Sequence, residues 1–155
     1  MTSGGGSGAD AAAGEPRPQS PGDAGAPASY ATLGGAEFFE DFTREFYAGV
    51  ASDPVLSAMY PEQDMAGAQR RLRLFLEQYW GGPTTYSDER GHPRLRMRHA
   101  PFAIDPDARD RWLACAATAW EAACATHAVP AAAAREFWDY LHSAAFAMVN
   151  TLPRI

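Results

Sequence analysis

Cysteine is nearly missing: Cys115 and Cys124 are the only two in 155 residues. If both lie on one helix, their Cα atoms are roughly 13 Å apart on opposite faces, and a disulfide needs less than about 7 Å. They are expected to be free thiols. No second cysteine pair accompanies them, which speaks against a zinc site, and the cytoplasm is the expected compartment. No apolar run is long enough to cross a bilayer, so membrane association is not indicated. Positive charge is also short, with 13 Lys plus Arg against 19 Asp plus Glu and a net charge of -6. That balance argues against non-specific nucleic-acid binding. The first 29 residues lack every aromatic and every Leu, Ile and Val. A stretch so rich in Gly, Ala, Ser and Pro cannot bury enough apolar surface to offset its ordering entropy. Residues 1–29 are therefore expected to be a disordered tail. They carry neither the basic start nor the apolar core of a secretory signal.

The aromatics that the tail lacks are all found in residues 30–155, as 8 Phe, 6 Tyr and 4 Trp. They suffice for the core of one small domain. Leu33-Gly34-Gly35 reads as a turn after a very short helix. Phe38, Phe39, Phe42, Phe46 and Val50 then fall at helical spacing over residues 36–52. Ser52 or Asp53, followed by Pro54, starts a short helix running through Val55, Leu56 and Met59 to Tyr60, where Pro61 stops it. Asp64 caps a helix over residues 65–80, with Ala68, Leu72, Phe75, Leu76 and Tyr79 in one stripe and Gly81-Gly82-Pro83 at its end. Residues 84–91 read as a polar loop. Arg94 to His99 form a short helix that Pro101 cannot continue. Asp105-Pro106 opens a helix to about residue 127, with Trp112, Cys115, Ala116, Ala119, Trp120 and Ala123 inward. Pro130 sits in the first turn of a last helix, with Phe137, Tyr140, Leu141, Ala144, Ala145 and Met148 inward and Pro153 just past its end. There is no strand alternation and no repeat. The expectation is an all-α domain of five or six helices, two of them short.

Several long motifs are distinctive: Phe46-Tyr47-Ala48, Tyr60-Pro61-Glu62, FLEQYWGGP at 75–83, GHPRLRMRHAPF at 91–102 and Trp112-Leu113. With them the domain strongly resembles the truncated haemoglobins, most of all the group II (O-type) proteins of actinobacteria. The resemblance leaves out the tail. It implies a truncated globin fold, a two-over-two helical sandwich whose helix pairs enclose a haem b. It implies that His99 is the proximal iron ligand and that Tyr47, Tyr60 and Trp112 are distal hydrogen-bond donors. Ala68 takes the slot where other globins carry a distal histidine, and Leu72 lies one turn further along.

The residues themselves bear on that chemistry. A lone histidine ahead of Ala-Pro-Phe is ordinarily structural, and it is the surrounding motif that makes His99 the ligand. Haem iron needs a neutral imidazole whose second nitrogen has an acceptor, and the Leu95 carbonyl, one turn earlier, is a candidate. Of the other histidines, His92 reads as an exposed turn contact. His127 reads as a cationic helix end, and His142 as a surface or packing residue. Tyr47, Tyr60 and Trp112 each offer one donor. Singly they read as amphipathic core residues, whereas together, with no distal histidine, they read as a ligand pocket. Arginines cluster at Arg70, Arg71 and Arg73 and at Arg94, Arg96 and Arg98, a local basic rim suited to a small anion. Arg71, Arg96 or Arg98 could pair with the haem propionates, with Tyr79 as a further donor. A solvated charged face is the alternative. Phe46, Phe75, Trp80, Met97, Phe102 and Leu113 are candidates for apolar contact with the porphyrin.

The leading expectation is reversible dioxygen binding at a five-coordinate iron, with nitric oxide and carbon monoxide as competing ligands. The second is an enzyme, a nitric oxide dioxygenase or a peroxidase-like activity, fed by an external reductase because no flavin or nicotinamide motif stands in the sequence. The third is a colourless all-α interaction domain. A homodimer remains open.

Overall fold

The computed structural model describes residues 25–60 and 64–152. Residues 1–24 of the tail expected over residues 1–29, the Pro61 stop, Glu62 of the second motif and Pro153 lie outside them. All regular structure among the described residues is helical: α1 Tyr30–Leu33, α2 Gly35–Ser52, α3 Pro54–Ser57, α4 Met65–Tyr79, α5 Thr85–Arg90, α6 Leu95–His99, α7 Pro106–Cys124 and α8 Ala131–Met148. None of these helices is long and apolar enough to cross a membrane. Packing begins ahead of Tyr30. Ala26, Ala28 and Ser29 are buried, the Ala28 N–H donates to the Glu136 carboxylate at 2.5 Å, and Ser29 caps α1 reciprocally with Thr32.

Among the described residues eight helices stand where five or six are expected, and the differences lie in the short ones. Residues 84–91 contain α5, which periodicity could not reveal because six residues offer a single inward side chain, Tyr86. The α3 helix ends at Ser57 rather than Tyr60, and α7 ends at Cys124. Pro130 is the N-cap of α8 rather than a residue of its first turn. Asp53 caps α3 as expected, accepting the N–H groups of Val55 at 2.9 Å and Leu56 at 3.0 Å. Asp64 occupies the cap position of α4 without a side-chain cap bond, because its carboxylate is turned to Arg71 at 2.8 Å.

The core is built on α2. Phe38, Phe39, Phe42, Phe46 and Val50 are all sealed from solvent, each stabilising by roughly 1.5–3 kcal/mol. The α2 helix packs on α7 and α4, and α7 packs on α8, so the pairs α2–α4 and α7–α8 meet across α2 and α7. The meeting is close because α7 presents alanines, with Ala116, Ala119 and Ala123 all buried. At Gly49 a Cβ would lie 3.2 Å from the Cys115 Sγ, so a larger residue there forces the helices apart. A salt bridge between Asp53 and Arg111 at 3.1 Å fixes α3 against α7, one residue before Trp112.

Candidate functional site

The α6 segment is short, polar and held by side chains rather than by its own length. Gly91 ends α5 at φ 75°. Arg94, at the N-cap of α6, sits in the left-handed region at φ 46° and ψ 53°, which costs an ordinary residue about 1–2 kcal/mol. Neighbouring bonds maintain it. The Arg94 N–H donates to His92 Nδ1 at 3.1 Å. Arg98 donates from Nε to the Pro93 carbonyl at 2.8 Å and from Nη2 to the Arg90 carbonyl at 3.3 Å. His99 closes the helix with Nδ1 2.7 Å from the Leu95 carbonyl. A carbonyl can only accept, so Nδ1 carries the proton, and in the neutral ring Nε2 keeps its lone pair.

The turn after His99 is clamped by Asn150, just past α8. Its Nδ2 donates to the carbonyls of Phe102 at 2.9 Å and His99 at 3.3 Å, and its Oδ1 accepts the Ile104 N–H at 2.9 Å. Arg96 adds a longer contact, Nε to the Ala147 carbonyl at 3.5 Å. The sequence offered no sign of the Asn150 clamp: a lone amide after a helix has no pattern, and its partners lie some 50 residues away in the chain.

A second group of residues gathers around Phe46. Its ring meets Tyr47 at 5.0 Å and Trp112 at 5.0 Å, both edge-on, and the Tyr47 and Tyr60 rings stand perpendicular at 5.7 Å. The structure thus brings Tyr47, Tyr60 and Trp112 together from α2, the segment after α3, and α7. Burial, and then the neighbouring Tyr60 hydroxyl, push the Tyr47 phenol well above its ordinary range. Burial raises Tyr60 as well. Both phenols stay protonated donors at neutral pH. The Arg71 guanidinium works against these shifts on both tyrosines, so Arg71 lies within electrostatic reach of the pair while bound to Asp64.

On α4, Ala68 and Leu76 are buried as expected, but the other buried residues are Leu74 and Glu77 rather than Leu72, Phe75 and Tyr79. Those three touch the core and remain partly open. On α6 and just after it, Met97 is 59% exposed and Phe102 39% exposed. Apolar side chains left half-covered on two elements suit contact with a flat apolar cofactor. The propionate candidates are already occupied: Arg71 by Asp64, Arg96 and Arg98 by main-chain carbonyls. The Tyr79 ring is stacked on Tyr140 at 4.0 Å.

Three further features were missed. Glu77 is a buried acid, raised by burial and opposed by Arg73, which bridges it to Glu40. Trp80 has a buried indole N–H without a partner among the described residues. His127 is bound by its Nε2 to the Asp41 carboxylate of α2 at 2.8 Å, so it is a packed, paired side chain rather than a free helix end. The expected thiols are there, with Cys115 and Cys124 both free.

Comparison with known proteins places this geometry. The model of the bacterial-like globin family matches residues 28–150. A thermostable haemoglobin from the actinobacterium Thermobifida fusca has the same fold at a TM-score of 0.73, with 55% identity over 78% of this chain and 95% of that one. The haemoglobin of Chloroflexus aurantiacus follows at a TM-score of 0.73 and 45% identity, over 80% of this chain and 98% of that one. A group 2 truncated haemoglobin of Bacillus subtilis, YjbI, is 43% identical over 81 residues, 52% of this chain. The match spans 61% of that relative's length.

Proposed function

Because the chain belongs to the bacterial-like globin family, among the group II truncated haemoglobins with their two-over-two helical fold, we propose that it binds dioxygen reversibly at a haem b whose iron is held by His99. Membership itself implies haem-based binding of diatomic gases. The assignment of individual residues is our reading. Its strongest support is the His99–Leu95 contact at 2.7 Å, which fixes the tautomer whose Nε2 can ligate iron.

When bound, haem supplies an iron that takes up a diatomic gas and exchanges electrons. The chain's own residues do the rest. His99 is oriented by Leu95 and by the Asn150 clamp. Tyr47, Tyr60 and Trp112 offer hydrogen bonds to the gas from an aromatic group in which Tyr47 is buried and the other two half-buried, so that a donor meets reduced competition from water. Ala68 leaves them room, and Leu72 walls the space. Phe75, Met97 and Phe102 would pack against the porphyrin. Arg71 can meet a propionate without releasing Asp64, because a guanidinium has five donors. Arg96, Arg98 and Tyr79 are the further candidates. Nitric oxide and carbon monoxide would compete for the same space.

Three donors around one ligand imply slow release, which favours a second reading: turnover of nitric oxide or peroxide with electrons from a separate reductase. The two free thiols suit the reducing cytoplasm in which we place the protein.

The test is the absorption spectrum of protein expressed with ample haem. We expect a Soret band that is lost or displaced in His99→Gly and restored by added imidazole. A colourless protein, or a His99→Gly spectrum identical to wild type, refutes the reading. Rapid mixing of the dioxygen-loaded protein with nitric oxide then separates carrier from dioxygenase.

A further inference from the structure

The arginines of this acidic chain are not evenly neutralised. Arg44, Arg70, Arg71, Arg73, Arg109 and Arg111 all pair with carboxylates. Among the described residues Arg90, Arg94, Arg96, Arg98 and, alone on α8, Arg135 form no such pair, and the first four fall within the nine residues that end at the turn before His99. Arg98 and Arg96 spend their donors on main-chain carbonyls, which leaves their charges uncancelled. Arg90 lies over the Tyr86 ring at 5.9 Å. The nearby Glu89 carboxylate is taken by both amino groups of Arg70, at 2.7 and 2.9 Å. Arg90, Arg94 and Arg96 are exposed. Like charges on so short a segment repel one another, and Arg90 and Arg94, which no propionate is proposed to meet, keep the face basic even if Arg96 or Arg98 turns to the haem.

From this patch we infer that the α5–α6 face is the docking surface for an acidic electron-donor protein, which delivers one electron at a time to the iron beside His99. The inference rests on the haem reading above. The chain as a whole carries net charge -6, so an acidic partner is repelled by most of its surface and attracted here. That selects the one orientation in which the donor stands next to the element bearing the iron ligand. In the step itself a reduced flavin loses one electron, and the ferric iron becomes ferrous. No bond is made or broken.

The experiment is stopped-flow reduction of the ferric haem protein by reduced flavodoxin, an acidic flavoprotein, with dithionite as a small-molecule control. The second-order rate should fall by about an order of magnitude on raising the salt. It should fall about as far in Arg94→Glu at low salt and stay near wild type in Arg135→Glu, an equal charge change on α8. Rates with dithionite should not separate the variants. Arg90→Glu, on ordinary helical backbone, repeats the test should Arg94→Glu disturb its strained turn. An equal fall in Arg94→Glu and Arg135→Glu overturns the inference, since net charge alone is then at work. So does a salt-independent rate. Inhibition by orthophosphate beyond that of chloride at matched ionic strength would assign the patch to a small anion. Low-salt dimerisation abolished by Arg94→Glu would assign it to a second copy. Both overturn the proposal while leaving the haem reading intact. Absence of a Soret band removes the haem reading and this inference with it.

Discussion

Asn150→Ala isolates the clamp behind His99. The substitution deletes two hydrogen bonds given to the carbonyls of His99 and Phe102 and two accepted, from the Ile104 N–H and the Thr151 hydroxyl. All four are solvent-exposed, so each contributes near the low end of the usual range, about 0.5 kcal/mol, for a total near 2 kcal/mol. The backbone bonds from Asn150 and Thr151 to the Ile104 carbonyl, at 2.9 and 3.1 Å, remain, so the variant should fold. For a domain of this size the melting temperature should drop by about 5 °C. The reasoning goes further than stability, because the lost bonds restrain the turn that carries His99. If that restraint orients the imidazole, haem should escape up to about tenfold faster, the equivalent of roughly 1.4 kcal/mol. Two measurements separate the effects: circular-dichroism melting of the apoprotein, and haem transfer to excess apomyoglobin followed in the Soret band. A lower apoprotein melting temperature with an unchanged transfer rate would show that Asn150 only staples the chain end. The positioning argument would then be wrong.

Three other perturbations bear on the distal group and the core. Tyr47→Phe and Trp112→Phe should each accelerate dioxygen release about tenfold, the loss of one hydrogen bond in a dry site. Wild-type stopped-flow off-rates in both single mutants and the double mutant would remove the distal assignment. Gly49→Val should destabilise by about 1–3 kcal/mol through overpacking against Cys115, with part recovered by adding Cys115→Ala. Urea midpoints of the two variants decide this, and a stable single mutant contradicts it. The Asp41 carboxyl is held below its usual range, first by His127 and then by Arg44. The stability it contributes is therefore complete above about pH 4, the unfolded value, and is lost as pH falls through the folded one. Urea midpoints of His127→Gln should decline less than wild type between pH 5 and pH 3, and parallel declines would deny the pair its role.

The sequence marked the helices through signals that are local: the Phe stripe of α2, the Asp53-Pro54 and Asp105-Pro106 starts, the Gly81-Gly82-Pro83 stop. It erred where an element was too short to show a period, as in α5 and the end of α3. It also erred where a helix has two apolar sides, as in α4, where Leu76 is sealed as expected but Leu72, Phe75 and Tyr79 stay half-covered while Leu74, outside the expected stripe, is buried. Periodicity reports that a face is apolar, not which neighbour covers it.

The chain by itself determined an all-helical domain, free cysteines, a lone histidine set before Ala-Pro-Phe, and the motifs that carry the family resemblance. Each is a matter of residue type and spacing along a few turns. Only the tertiary structure decided that Tyr47, Tyr60 and Trp112 gather around Phe46. It alone showed that Asn150 holds the turn after His99, that Asp41 pairs with His127, and that, among the described residues, the arginines before His99 have no carboxylate partner while those of α4 and α7 do. Those relations join residues distant in the chain. They follow from how α2 crosses α7 and how α6 lies on α8, which no local pattern specifies.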